Sequence, residues 1–122
     1  MYVGDTDIVN KSQKELLKKA KYKLNKLILR DFKDSVGRYA FEVDKFVVAC
    51  RSYLYGYIVS VHKQLVNYAK TKNKKILVYF DDVDKFYMFD PIEIEKFGTI
   101  NRRGEEEMIN FDIKNGVFYE PI

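Results

Sequence analysis

Residues 11–30 have the spacing of an amphipathic helix. Apolar residues recur at steps of three and four and form one stripe, made of Leu16, Leu17, Ala20, Leu24, Leu27 and Ile28. Basic residues line both flanks of this stripe, with Lys11, Lys14, Lys18 and Lys21 on one and Lys19, Lys23, Lys26, Arg30 and Lys33 on the other. Asn10 or Ser12 is the expected N-cap. Asp31 would interrupt the stripe, so either the helix ends there or Asp31 faces a polar site.

The next segment has the composition of two strands. Residues 39–50 are rich in β-forming residues and predict a first strand. Residues 51–54 predict a connection, and residues 55–61 predict a second strand, so that the two form a β-hairpin. The apolar period then changes to that of a helix over residues 61–72, with Asn73 as its C-cap.

A continuous apolar run follows at residues 76–80. A run of this length between turn signals predicts a strand that is covered on both faces. Residues 81–84 predict a turn, and residues 86–89 predict the returning strand. The turn holds three aspartates but lacks the glycine and the distal glutamate of an EF-hand loop, so the pattern does not favour a calcium site.

The last third begins with a short helix. Asp90 is suited to cap it, Pro91 fits its first position, and Gly98 ends it. Residues 101–104 predict an exposed basic turn. Asn115-Gly116 between two apolar segments is a strong signal for a two-residue hairpin.

Together these elements predict an α/β fold, with α+β as the alternative. The expected architecture is a single mixed β-sheet with a long N-terminal helix and a second helix packed on it, and with a C-terminal β-hairpin. A length of 122 residues fits one domain over residues 1–122.

Composition narrows the class of protein. One cysteine excludes an internal disulfide and a cysteine-based zinc site, and Cys50 is expected to be a small buried residue. One histidine excludes a histidine-cluster metal site. No apolar run reaches the roughly 18 residues of a membrane span, and no signal peptide opens the chain, so we expect an intracellular, cytoplasmic protein without a membrane partner.

Charge is distributed unevenly along the chain. Residues 11–38 hold ten basic and three acidic residues, whereas residues 77–122 hold eleven acidic and five basic ones. This asymmetry favours a surface that binds polyanions. The alternative is a solvated helix whose lysines pair with the acidic half, in a lysine- and glutamate-rich composition that is also common in heat-adapted proteins.

Three segments, QLVNYA at residues 64–69, KKILVYF at residues 74–80 and FYMFDP at residues 86–91, resemble the second half of the restriction-endonuclease-like fold. They are most similar to small PD-(D/E)XK nucleases of the archaeal Holliday-junction resolvase type. The resemblance extends to the basic first helix and the hairpin before them. It implies a nuclease-type fold, DNA as partner, and two carboxylates with a lysine around Mg²⁺ or Mn²⁺.

The resemblance places the first acid of the motif at Asp44. In an alternating strand Glu42 would point to the same side, so the two carboxylates could share one metal ion. The second half of the motif, an acid two residues before a lysine, is missing from residues 55–62. Ser60 and His62 hold the nearest positions, and Lys45 or Lys63 is the candidate lysine. Because of this departure, Glu42 or Asp31 substitutes for the missing acid, or the domain binds without cleaving.

Three hypotheses follow. The first is a nucleic-acid-binding protein on a degenerate nuclease-type fold, with phosphate contacts from Lys11, Lys14, Lys18, Lys21, Arg51, Arg102 and Arg103. The second is a structural or interaction protein that forms a homodimer through exposed apolar surface. The third is an active metal-dependent nuclease that uses Asp44, Glu42, His62 and a lysine. An exposed tyrosine row (Tyr53, Tyr55 and Tyr57) would add a surface for stacking bases.

Overall fold

The computed structural model describes residues 3–33, 39–51, 56–104 and 106–121, with side chains except at residues 3–13, 33, 39 and 103. Its helices are α1 (Val3–Leu24), α2 (Lys63–Thr71) and α3 (Pro91–Phe97). Its strands are β1 (Arg30–Lys33), β2 (Tyr39–Glu42), β3 (Phe46–Arg51), β4 (Ile58–His62), β5 (Lys75–Phe80), β6 (Lys85–Phe89), β7 (Thr99–Arg103), β8 (Glu106–Asp112) and β9 (Val117–Tyr119). In the described part of the chain, no helix is long and apolar enough to cross a membrane.

The predicted α/β class is confirmed, but the strands form two sheets rather than one. Six of them pair in the order β1-β2-β3-β5-β6-β9. In this sheet β3 and β5 are parallel, and the other neighbours are antiparallel. A second, antiparallel sheet has the order β4-β8-β7. The chain between β3 and β5 therefore enters the second sheet and α2 before it returns.

The six-stranded sheet separates two apolar cores. On one face, Leu16, Leu17, Ala20 and Leu24 of α1 pack against Phe41, Val48 and Tyr79. On the other face, α2, α3 and the second sheet supply Val66, Ala69, Ile94, Val59 and Phe111, which pack against Val47, Ile76 and Val78. Successive residues of β5 enter alternate cores, and five of its six positions are buried. This confirms the prediction of a strand that is covered on both faces.

The first helix lies earlier in the chain than the apolar stripe predicts. It begins at Val3, so Asn10 and Ser12 are inside it and not at its N-cap. It ends at Leu24 because Asn25 adopts a left-handed backbone (φ 51°) and donates its N–H to the Lys21 carbonyl at 3.0 Å. Asp31 lies beyond the helix, in β1, where it accepts a hydrogen bond from Lys21 at 2.6 Å.

The predicted strand at residues 39–50 is two strands. Asp44 and Lys45 are exposed at the tip of the β2–β3 hairpin, where Val43 donates to the Phe46 carbonyl at 2.9 Å. The predicted hairpin between this segment and residues 55–61 is wrong, because β4 pairs with β8 in the second sheet. Val59 and Val61 alternate into the core there, and their burial fixes the register of β4.

The predicted C-terminal hairpin is also wrong. Strands β8 and β9 belong to different sheets, and a 3-10 turn at Ile113–Asn115 redirects the chain between them. The Asp112 carboxylate caps this turn by accepting from the Lys114 amide at 2.9 Å. Gly116 has an extended backbone rather than a turn conformation, and it lies directly against the ring of Phe89.

The predicted caps of α3 are confirmed, whereas α2 begins at Lys63 rather than at residue 61 and has Lys72, not Asn73, as its C-cap. The amides of Asn73 and Lys74 donate to the carbonyls of Lys70 and Ala69, so α2 closes in a Schellman motif with Asn73 at a left-handed φ of 56°. Helix α3 begins with Asp90 accepting from the Ile92 amide at 2.9 Å, and it ends at Gly98.

Two ion pairs fasten α1 to the turn between β5 and β6. Lys19 reaches Asp81 at 2.7 Å, and Lys23 reaches Asp84 at 2.8 Å. The buried Tyr79 hydroxyl donates to the same Asp84 carboxylate at 2.5 Å. The basic helix and the acidic second half of the chain thus meet, and these lysines are neutralised.

We expect the substitution Gly116→Ala to destabilise the protein. The added Cβ would lie inside van der Waals contact of the Phe89 ring, which is buried, so Phe89 would have to shift at a cost of about 1–3 kcal/mol. Urea denaturation measures this loss. The control Lys114→Ala changes an exposed side chain two residues away, and a loss as large in the control would contradict the close-packing explanation.

Candidate functional site

The first candidate site is a buried polar cluster around Glu42, at the end of β2. One carboxylate oxygen of Glu42 accepts from the Tyr68 hydroxyl of α2 at 2.6 Å, and the other accepts from Lys74 Nζ at 2.5 Å. Lys74 also donates to the Val43 carbonyl at 2.8 Å. Glu42 is 6% exposed and is the buried charged residue of the described core. The cluster joins the end of β2 to Tyr68 in α2 and to Lys74 just before β5.

This environment stabilises the charged form of Glu42. The hydrogen bond from Lys74, followed by that from Tyr68, holds the pKa of the Glu42 carboxyl below its usual range, against the opposing effect of burial. The hydrogen bond to Glu42 also raises the pKa of the Tyr68 hydroxyl. The arrangement is that of a satisfied ion pair, not of a carboxylate poised to exchange protons near neutral pH.

The carboxylates predicted to share a metal ion do not form a ligand set. Glu42 is buried with both oxygens occupied, whereas Asp44 is exposed in the hairpin turn and not on an alternating strand. Asp31 faces Lys21 on the α1 side of the sheet, so it does not substitute. Among the described residues, no three His, Cys, Asp or Glu side chains converge. These donors therefore do not fit Mg²⁺ or Mn²⁺.

The other predicted catalytic residues lie at the opposite end of α2. His62 precedes the helix and its Nδ1 is 3.4 Å from Glu106, while Lys63 begins the helix and lies 3.7 Å from Glu107. A polar cavity of about 240 Å³ adjoins these residues. Glu42 contacts Tyr68 and Lys74, near the C-terminal end of a helix that rises about 12 Å from Lys63 to Thr71. The structure does not bring the predicted catalytic residues together, and Lys45 is exposed with Asp44 in the hairpin turn.

The predicted phosphate-binding residues also divide between surfaces. Lys21 is paired with Asp31, and Arg51 turns inward to donate to the carbonyls of Cys50 and Ser60. Arg102 is exposed on β7, on the far side of the six-stranded sheet from α1. The structure does not describe the side chains of Lys11 and Arg103. Tyr53 and Tyr55 of the tyrosine row lie outside the described residues. Tyr57 is exposed in the turn before β4.

One face of α1 keeps its charge. Lys14, Lys18 and Tyr22 follow one another at steps of four and are all exposed, with Tyr22 at 86%. Lys14 and Lys18 form no ion pair within the described part of the chain. We call these three residues the lysine stripe. It faces away from the core that α1 forms with the sheet.

A second cationic surface was not predicted from the sequence. Phe32 of β1 and Tyr68 of α2 make an edge-to-face contact with ring centroids 5.0 Å apart. The Arg30 guanidinium lies 4.8 Å from the Phe32 centroid and 5.6 Å from that of Tyr68, and Lys72 Nζ lies 5.7 Å from the Tyr68 ring. We call these four residues the cation–aromatic cluster. Tyr68 and Lys72 are four residues apart on a predicted helix, but no local signal places β1 beside them.

We expect Lys74→Met to lower the free energy of unfolding by about 3 kcal/mol at pH 7, because it leaves the buried Glu42 carboxylate without its cation. Urea denaturation measures the change. The matched control is Lys70→Met, which breaks the exposed pair with Glu95 and is expected to cost under about 1 kcal/mol. Equal losses in the two variants would contradict the role of the buried pair.

The same pair predicts a dependence on pH. Since the pKa of Glu42 is lowered in the folded state, its stabilisation is present above the ordinary value of 4.5 and is lost as the pH falls through the folded value. The variant Glu42→Gln should therefore lose less stability than the wild type between pH 5 and strongly acidic solution. Identical acid profiles for the two proteins would contradict this assignment.

No family model matches this chain, and no match to a curated protein or to a solved structure is found either. The two cationic surfaces, the buried Glu42 cluster and the order of the elements are accordingly the ground on which a function is proposed.

Proposed function

We propose that this chain is a nucleic-acid-binding protein on a nuclease-type fold that does not cleave its ligand. The observation that carries the proposal is the lysine stripe, because two lysines and a tyrosine stay exposed on α1 although acidic residues neutralise Lys19, Lys21 and Lys23 nearby. Lysines aligned at helical spacing suit successive phosphates of a nucleic-acid backbone.

The order of the elements also supports the proposal. A basic helix precedes an antiparallel hairpin, and α2 then leads to a strand parallel to β3 and to a returning strand that ends at Asp90-Pro91. This is the order that the resemblance to small PD-(D/E)XK nucleases implies. The excursion through β4 is an addition to that order, and it carries His62 into the second sheet.

The separation of the candidate catalytic groups supports binding without cleavage. Hydrolysis of a phosphodiester in the PD-(D/E)XK manner needs two carboxylates and a lysine around one metal ion. Here the buried acid is paired with Lys74, the exposed acid lies in a turn, and His62 and Lys63 lie at the other end of α2. The lysine stripe could bind phosphates in a protein that lacks two carboxylates and a lysine around a metal ion.

We expect the double variant Lys14→Glu/Lys18→Glu to lose at least tenfold in affinity for a DNA duplex at about 50 mM salt. Two lost phosphate contacts should also reduce the slope of log affinity against log salt by about 1.8. Fluorescence anisotropy with a labelled duplex measures both. The control variant Lys96→Glu/Lys114→Glu makes the same charge change at two other exposed lysines. A wild-type protein without affinity for DNA at this salt would refute the proposal. Equal losses of affinity in the two double variants would refute the lysine stripe as the binding surface.

We expect no nicking of supercoiled plasmid by the wild-type protein with either Mg²⁺ or Mn²⁺, since no three His, Cys, Asp or Glu side chains of the described residues converge on a metal site. Agarose gels of plasmid incubated with each metal check this. Metal-dependent nicking that Asp44→Ala abolishes would show instead an active nuclease.

A further inference from the structure

We propose that the cation–aromatic cluster of Arg30, Phe32, Tyr68 and Lys72 is a site for unpaired bases of a single-stranded nucleic acid. The inference rests on the proposed function and names its ligand more narrowly. The lysine stripe recognises a charged backbone, which duplexes and single strands share, whereas this cluster offers flat surfaces that only unpaired bases can reach.

The first support is the geometry of the flat groups. The guanidinium of Arg30 lies over both aromatic rings, and Arg30 nevertheless remains exposed. Phe32 and Tyr68 are half-buried, so part of each ring meets solvent. Bases of single strands stack on aromatic rings and on guanidinium planes, and the cluster presents both together at the β1 edge of the six-stranded sheet.

The second support is the local charge. Arg30 and Lys72 are exposed cations, and neither forms an ion pair within the described part of the chain. The nearby carboxylate of Glu42 is saturated by Tyr68 and Lys74, and Asp31 points to the other face of β1, toward Lys21. Two positive charges beside the rings therefore remain for the phosphates that flank a stacked base.

The third support is that the cluster is preorganised. The Tyr68 hydroxyl is fixed by its 2.6 Å hydrogen bond to buried Glu42, and Phe32 is held against the Tyr68 ring in a strand that is paired with β2. Little conformational entropy is then lost when a base stacks. The buried ion pair thereby acquires a second role, since it positions a ring at the surface.

The test compares labelled dT12 and rU12 single strands with a 12-base-pair DNA duplex by fluorescence anisotropy. Arg30→Lys keeps the charge and removes the planar group, and Phe32→Leu keeps apolar bulk and removes the ring. Each is expected to bind single strands roughly tenfold more weakly, with duplex affinity within about twofold of the wild type. Arg30→Lys should leave the salt dependence unchanged because no charge is lost.

The matched control is Phe97→Leu, since Phe97 is an exposed ring with Lys96 at 5.5 Å on α3, away from β1. This variant is expected to bind single strands as the wild type does. Urea denaturation of every variant shows whether weaker binding comes from the missing ring or from unfolding. Arg30→Lys changes an exposed residue, so it keeps the test valid if Phe32→Leu is unstable.

The comparison of dT12 with rU12 shows whether the cluster binds bases of DNA, of RNA or of both. Equal losses for dT12 and rU12 support stacking that DNA and RNA share, and a loss confined to one of them assigns the cluster to that polymer. Wild-type affinity of both variants for single strands would overturn the inference, and so would an equal loss on the duplex. If the stripe variant Lys14→Glu/Lys18→Glu still loses duplex affinity in that case, the proposed function stands without the base site.

Discussion

The parallel pairing of β3 with β5 is the constraint on which the remaining structure depends. Both strands lie inside the six-stranded sheet, and their side chains enter the two cores alternately. A strand of this kind is stable only when both faces of the sheet are covered. The amphipathic α1 covers one face. The short helices α2 and α3 are too small to cover the other alone, and the three-stranded sheet completes it.

Because both faces of the six-stranded sheet are covered, each polar side chain lies on one face or the other according to its position in the strand. Groups that lie close together in the sequence are assigned to opposite faces, as Arg30 and Asp31 show in adjacent positions of β1. Two acids of the second half of the chain, Asp81 and Asp84, meet α1 at the β5–β6 turn and neutralise Lys19 and Lys23. Among the described residues, Lys14 and Lys18 on the outer face of α1 and Arg30 and Lys72 at the β1 edge are exposed cations without an ion pair.

The sequence was sufficient for elements whose signals are local. The buried run at residues 76–80 and the capped start of α3 depend on residues within a few positions of each other, and both were predicted correctly. The end of α2 was predicted to within one residue, since Lys72 rather than Asn73 is its C-cap. Strand pairing was not predictable in this way. Asn115-Gly116 indicated a hairpin, but the close approach of Gly116 to Phe89, a residue 27 positions earlier, requires the glycine for a different reason.

The candidate site shows the same limit. Glu42 was identified as functional from its spacing to Asp44, yet its partners Tyr68 and Lys74 are 26 and 32 residues away and carried no signal that pointed to it. The basic character of α1 was visible in the composition, whereas the separation of neutralised lysines from exposed ones needed the positions of Asp81 and Asp84. Charge patterns predict a surface, and the fold decides which part of it stays charged.

The reactivity of the single cysteine, Cys50, indicates when the core around it becomes exposed to solvent. Cys50 lies fully buried in the middle of the sheet, and burial raises the pKa of its thiol to about 12. Because thiolate is the reactive species, the folded chain resists alkylation and oxidation at neutral pH, and the thiol regains ordinary reactivity when β3 separates from its neighbours. Its rate of modification therefore reports openings that expose the core between α1 and the six-stranded sheet, where Cys50 lies.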